Sequence, residues 1–240
     1  MGMSGRLLRP RATGFNPRSI ANLALWLDAS DAASITTSTG VSIWADKSGN
    51  GRNATQAVAA KQPLHSSTLN GRNVISFQGV DDTMQVAANA AFNTASQTIF
   101  VVAKQTTAGN QALWYKADSN SAEGVIMRYR TGTTFWLYQR NDSTSETITS
   151  SPVNSNANVF SLVLQPSSQA GWVNGSAANT ATLVHTYDNN SGPWIGSRRD
   201  VGEYLIADVA EVIHYSAALT TSQRQAVERY LGMKWGITVA

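Results

Sequence analysis

Cysteine is absent from this 240-residue chain, which excludes a disulfide framework and any thiolate metal site. Charge is scarce: 14% of residues are charged and the formal net charge is +3. A body so near neutrality disfavours a basic nucleic-acid surface. No apolar run approaches the ~18 residues of a membrane span. The N-terminus, MGMSGRLLRPRATGFNPRSI, is basic but lacks the apolar stretch of a signal peptide. Synthesis and folding in a cytoplasm are therefore expected, and the N-x-S/T triplets at Asn53, Asn141, Asn174 and Asn189 carry little weight. The three histidines, His65, His185 and His214, have no paired metal-ligand spacing. No G-x-S-x-G nucleophile elbow occurs.

What is present is 42% hydrophobic residues amid Ser, Thr, Asn and Gln, a profile that suits sheets with one face to water. Short apolar or alternating runs dominate: LALWLDA (23–29), VSIWAD (41–46), NVISFQG (73–79), QTIFVVAK (97–104), ALWYKA (112–117), GVIMRYR (124–130), TFWLYQR (134–140), ETITS (146–150), VFSLVLQ (159–165), GWVNG (171–175), PWIGS (193–197) and YLIADVAEVIHY (204–215). β-Branched and aromatic residues fill them and Gly, Asn, Asp or Ser separates them. One long helix is expected near the end. Thr220 or Thr221 caps it, Gln223 completes a capping box from Thr220, and Val227, Tyr230, Leu231 and Trp235 form one apolar face. Gly236 is its stop. This pattern predicts an all-β, two-sheet antiparallel sandwich with a C-terminal amphipathic helix as a lid. Trp26, Trp44 and Trp235 are expected in the core. A basic arm over residues 1–20, with Arg6, Arg9, Arg11 and Arg18, precedes one domain over 21–240. Aromatics that stack bases do not interleave with these arginines, so the arm reads as a protein-docking element.

Three early stretches, LALWLDASD (23–31), WADKSGNGRNATQ (44–56) and NVISFQGVDDTMQV (73–86), precede GWVNG, PWIGSRR and IADVAEVIHYSAALTTSQRQAVERYLGMKWGI (206–237). In this order they resemble the concanavalin A-like lectin/glucanase (laminin-G-like) superfamily, and more narrowly its free-standing members among tailed-phage virion proteins. The resemblance covers about residues 15–237. It implies a jelly roll of one convex and one concave sheet, with sugars bound on the concave face or its rim, often near calcium. It does not fix an activity, because one fold hosts many functions.

A retaining glycosidase needs two carboxylates about 5–5.5 Å apart, and on this fold the pattern resembles E-x-D-x-x-E. Glu203, Asp208 and Glu211 come nearest, but the first spacing is wrong. On a regular strand Asp208 and Glu211 point to opposite faces, and Glu211 falls where the resemblance implies a structural acid. No catalytic residue is assigned. For sugar binding, Trp136 and Tyr138 share a face of their strand and Arg128 and Arg130 share one of theirs, which would make a stacking platform with donors. The same aromatics could fill the space between the sheets. Asp46, Ser48 and Asn50 sit at positions 1, 3 and 5 of a calcium-loop register with Gly51 at 6, but Ala57 stands where the bidentate Glu belongs. A turn held by Asp46 is the simpler account; the alternative is a weak calcium site, to which Asp81 or Asp82 would add a ligand if the fold brings them close.

The expectation is a non-enzymatic virion structural protein of a tailed phage, without a resident cofactor. It would be displayed on the particle surface as a decoration, fibre or adhesion module, anchored to capsid or tail proteins through its arm, and homo-oligomeric. The alternative is a lectin engaging host surface polysaccharide; an endoglycanase comes third.

Overall fold

The computed structural model describes residues 14–117, 124–130, 134–141, 144–152, 156–181, 191–199 and 202–240, with side chains at all of these except 130, 134–141, 144–152, 179 and 181. The strands are β1 (Leu23–Asp28), β2 (Ile35–Thr37), β3 (Val41–Trp44), β4 (Ala54–Thr55), β5 (Leu64–Leu69), β6 (Arg72–Gln78), β7 (Met84–Val86), β8 (Gln97–Gln105) and β9 (Gln111–Ala117). They continue with β10 (Gly124–Arg130), β11 (Thr134–Asn141), β12 (Thr144–Pro152), β13 (Asn158–Gln165), β14 (Ser168–Val173), β15 (Ser176–Ala181), β16 (Trp194–Ile195) and β17 (Ile206–Tyr215). One helix, α1 (Thr221–Trp235), follows.

An eight-stranded sheet runs β15-β14-β13-β8-β17-β6-β5 with β1 joined to β17 off that path, and a nine-stranded sheet runs β12-β11-β10-β9-β16-β7-β4-β3-β2. β17 is the hub of the first. Its beginning pairs with β6 and its end with β1, along the same edge, while β8 lies on the other side. Period-2 alternation sends Leu25, Leu27, Ile75, Val101 and Phe160 inward to meet Trp44, Trp114 and Met127 of the facing sheet. The intervening residues, Trp26, Val74, Phe100, Val102 and Ile213, point to the other face, where Val227, Leu231 and Trp235 of α1 cover them. Each large side chain so buried contributes roughly 1.5–3 kcal/mol. Trp26, Trp44 and Trp235 are all in these cores.

The helix ends are set by their sequence. Thr220 Oγ1 accepts from the Gln223 N–H at 3.3 Å while Gln223 Oε1 accepts from the Thr220 N–H at 3.0 Å. Gly236 takes the left-handed conformation, φ 70°, that closes the C-terminus, with its N–H on the Gly232 carbonyl.

The helix is latched by a buried carboxylate. Glu211 accepts from Trp26 Nε1 at 2.7 Å, Tyr230 Oη at 2.9 Å, Lys234 Nζ at 2.7 Å and Trp235 Nε1 at 2.8 Å. Lys234 also reaches Asp28 at 2.7 Å, and Asp28 in turn pairs with Lys47 at 2.9 Å. Burial pushes the Glu211 carboxyl above its ordinary value and Lys234 opposes it. Burial acts on Asp28 too, but Lys234 and Lys47 hold its carboxyl below the usual value.

One expectation is corrected here. The register slips between Val209 and Glu211, a β-bulge at Ala210. The extra residue turns Glu211 to the same helix-side face as Asp208, which bonds Ser76 at 2.6 Å. The two carboxylates are therefore not on opposite faces. Glu211 is nevertheless engaged by four donors, and Asp208 is held by the hydroxyls of Ser67 and Ser76.

On the inner face of β17, His214 packs against Phe92 and Trp114, with ring centroids 5.2 and 5.5 Å away. Neither ring nitrogen has a hydrogen-bond partner among the described residues. Burial, with the nearby charges of Lys116 and Arg52, pushes its pKa down to about 3. The unfolded chain therefore takes up a proton as pH falls below about 6.5 while the folded chain stays neutral to about 3. Stability should decline through that window, by at most ~1.4 kcal/mol per pH unit from this group. Urea denaturation across the window should show the decline, and His214→Phe should flatten it.

Candidate functional site

The loop IWADKSGNGRNA joins β3 to β4. Asp46 Oδ1 accepts from the N–H groups of Trp26 at 3.0 Å and Ser48 at 2.8 Å; Oδ2 accepts from the Ser48 hydroxyl at 2.7 Å and the Arg52 N–H at 3.0 Å. Asn53 accepts from the Asp46 N–H, and Asn50 Nδ2 donates to the Leu23 carbonyl at 2.9 Å. Gly49 and Gly51, at φ 97° and 70°, allow the reversal. The carboxylate thus ties the loop to β1 and itself. Ser48 and Asn50 are engaged in the same turn, and Asp82 caps its own turn at the Gln78 N–H, 2.7 Å. Among the described residues no three His, Asp or Glu side chains are grouped to hold a metal. Asn50, Arg52, Asn53 and Asn89 line a cleft of about 410 Å³ beside the loop.

The richest chemistry lies on the face of the nine-stranded sheet that points away from the core. The register across β16, β9, β10 and β11 sets Trp194, Tyr115, Ile126 and Tyr138 in one row. The adjacent row runs Ala112, Arg128 and Trp136. Tyr115, Ala117 and Ile126 pack together with Trp194 as a patch separate from the inter-sheet core. Residues 196–199 and 202–205 lie across it. The Ala112 N–H bonds the Glu203 carbonyl at 2.8 Å and the Leu205 N–H bonds the Gly196 carbonyl at 2.8 Å. Arg128 Nη1 then donates to both Glu203 carboxylate oxygens, at 2.9 and 3.1 Å. Arg198 lies 3.6 Å from the same carboxylate, and its guanidinium sits 5.9 Å from the centre of the Tyr115 ring. Burial pushes the Tyr115 hydroxyl up, against a hydrogen bond from Arg198.

Arg199 and Glu203 both have left-handed backbones, φ 54° and 50°. A non-glycine residue there costs on the order of 1–2 kcal/mol. The segment bears that strain while setting Arg198 over the Tyr115 ring and the Glu203 carboxylate on Arg128 of β10. Tyr115 and Arg128 are buried beneath it; Trp194, Arg198, Arg199 and Tyr204 are half-buried at its surface. Of the residues expected to bind sugar, Arg128 is in this cluster. The side chains of Arg130, Trp136 and Tyr138 lie outside the described residues, although the register sets Trp136 opposite Arg128. Tyr115, Trp194 and Arg198 were not anticipated, and Glu203 enters the sequence reading only as a carboxylate near the glycosidase pattern. PWIGSRR, with its tryptophan and paired arginines, was the one local signal for them.

Of the arm, Arg6, Arg9 and Arg11 lie outside the described residues. Arg18 Nε donates to the Lys47 carbonyl at 2.7 Å. Around it Phe15 packs on Tyr230, 5.6 Å between rings, and the Tyr215 hydroxyl donates to the Pro17 carbonyl at 3.0 Å. Residues 15–20 are therefore seated on the helix side of the sandwich.

No family model matches the chain, and no curated protein matches its sequence. Solved structures do. A sialidase of Trypanosoma rangeli is 13% identical, with a TM-score of 0.64 over 91% of this chain and 34% of its own. The same enzyme in complex with sialic acid is 15% identical at 0.64. The binding domain of Paraclostridial Mosquitocidal Protein 1 is 14% identical, with a TM-score of 0.65 over 92% of this chain and 56% of its own. The chain spans about a third of the sialidases it matches and little more than half of the mosquitocidal domain. At these identities the likeness is one of fold: a two-sheet antiparallel sandwich. It corrects the non-enzymatic expectation, which does not stand when the sandwich recurs within chains that are sialidases. No helix among the described residues is long and apolar enough to cross a membrane.

Asp46→Ala removes the acceptor for four donors in the β3–β4 loop. It should cost about 2–4 kcal/mol in urea denaturation, since partly buried N–H groups lose their partner.

Proposed function

We propose that the chain is a glycan-binding module, and that saccharide engages the arginine–aromatic face beside residues 196–199 and 202–205. The observation that carries this reading is the cluster itself. Arg198 and Arg128 meet the one carboxylate of Glu203, in a segment with left-handed backbone at Arg199 and Glu203, and Arg198 lies over Tyr115, the register partner of Trp194. Strain of this kind concentrates where geometry serves a ligand. Aromatic rings offer sugar rings an apolar platform, and guanidinium groups donate in pairs to hydroxyls or carboxylates. The fold shared with a sialidase solved with sialic acid and with a toxin's binding domain supports the reading. A glycan array followed by calorimetry tests it. Arg198→Ala and Trp194→Ala, both at half-buried positions, should each weaken the best-bound glycan about tenfold or more, ~1.4 kcal/mol. Circular dichroism should stay unchanged. Binding to no glycan, or equal binding by both variants, would overturn the assignment.

A second reading concerns where the module is carried. The sequence resemblance to tailed-phage virion proteins and the arginines of the arm support display on a virion surface, anchored to capsid or tail proteins. Residues 15–20 pack on the body, so the arm would leave the domain from a fixed point near Tyr215 and Tyr230. Deleting residues 1–13 should abolish incorporation into particles and leave the melting temperature unchanged. Full occupancy by the shortened chain would exclude anchoring by this segment.

A further inference from the structure

On the far side of the molecule, a cleft of about 500 Å³ opens at the C-terminal end of α1. Two hairpin turns of the eight-stranded sheet form its walls. Asn70–Gly71 joins β5 to β6 with φ of 48° and 69°; Asn174–Gly175 joins β14 to β15 with φ of 52° and 78°. Positive φ at both central residues marks the tight two-residue hairpin that Asn-Gly favours. The chain leaving the helix passes between them. The Lys234 carbonyl accepts from Arg72 Nε at 3.0 Å on one side, and the Ala240 N–H bonds the Asn174 carbonyl at 2.9 Å on the other. The close fit of Gly236 against Asn70 and of Gly175 against the last residues fixes the cleft's shape: an added Cβ would lie 2.9 and 2.8 Å from its neighbours.

Lys104, on the central strand β8, lines this cleft. Its ammonium has no hydrogen-bond or ion-pair partner among the described residues. The carboxylate opposite it in the register, Asp208, is turned to the hydroxyls of Ser67 and Ser76, at 3.2 and 2.6 Å. The other polar lining groups are the neutral amides Asn70, Asn156 and Asn174 and the hydroxyl of Thr238. Asn174 is committed to the Val159 N–H and Asn158. Asn70 spends only its Nδ2, on the Lys234 carbonyl at 3.4 Å, which leaves its Oδ1 to accept.

One uncompensated cation surrounded by amides and a hydroxyl, in a cleft within the ~300–1,000 Å³ of small-molecule sites, suits a ligand with one carboxylate and several hydroxyls. We infer that this cleft is a second saccharide site, selective for a sugar carboxylate such as a uronic acid. Lys104 would pair with the carboxylate and Asn70 with a ring hydroxyl. The inference rests on the glycan-binding reading for its biological sense but uses none of the residues of the sheet-face cluster.

Amide NMR on the full chain tests it, with glucuronate, glucose and acetate as probes. The resonances of Lys104, Asn70 and Gly236 report the cleft; those of Tyr115, Trp194 and Arg198 report the sheet face, so either reading can fail alone. Glucuronate should shift the cleft resonances with an affinity about tenfold or more above that of glucose or acetate. Lys104→Gln, at a half-buried side chain without a partner, should remove that advantage and leave the response to glucose unchanged. Equal affinity for glucuronate and glucose, acetate binding as tightly as glucuronate, or glucuronate binding unaffected by Lys104→Gln would each overturn the inference.

Discussion

A single buried carboxylate organises the helix side of this protein. Glu211 collects the indole N–H groups of Trp26 and Trp235, the Tyr230 hydroxyl and the Lys234 ammonium. An isolated carboxylate in this position would cost several kcal/mol in lost hydration; four donors from β1 and α1 offset that cost only if strand and helix both sit correctly. The requirement propagates. Lys234 reaches Asp28, Asp28 reaches Lys47, and Lys47 lies in the loop that Asp46 folds. Thus the first strand, the β3–β4 turn and the C-terminal helix are tied through one polar network. Its geometry depends on the bulge at Ala210, without which Glu211 would face the inter-sheet core.

Much of this was legible in the sequence. Long strands such as β8 and β13 announce themselves by consecutive β-branched and aromatic residues, and α1 by its cap, its apolar face and Gly236. The strands that escaped notice, β2, β4, β5, β7 and β15, are short or polar: TTS after Ile35, LHSSTL, SAANTA. Their pairing comes from neighbours already in place, which no local pattern records. The Ala210 bulge was equally invisible, because strict alternation assumes that no residue is inserted.

The candidate site was less legible than the fold, for a physical reason. Its central contact joins Arg128 to Glu203, 75 residues apart, and its strain sits in a loop whose residues look unremarkable one by one. Sequence could nominate Arg128 as a donor on an exposed strand. It could not foresee that Arg198 and Glu203 would be brought over Tyr115 and Arg128, nor that the two Asn-Gly turns would bracket the end of the helix from opposite sides. The β3–β4 loop is the converse case. Its Asp-x-Ser-x-Asn spacing fits a turn held by Asp46 or a set of ion ligands; in the structure the Asp46 and Ser48 oxygens accept backbone and side-chain protons, and Asn50 donates through its Nδ2. Spacing alone does not distinguish the two uses, since both need oxygens brought to one point.

The position of β17 sets the order in which the molecule can be completed. It pairs with β1, β6 and β8, and all three leave the ribosome before it. Until it emerges, β1 has no strand partner among the described residues, where it pairs with β17, and β6 and β8 lack the strand that lies between them. Contacts that close loops of more than 180 residues, such as Leu25 with His214, lose much chain entropy before any of it is recovered. The nascent chain must therefore wait with apolar edges exposed, a state prone to association. The sparse charge of this sequence does little to keep such edges apart, so production of the domain should favour slow synthesis, low temperature or a chaperone that shields β6 and β8 until the final strand arrives.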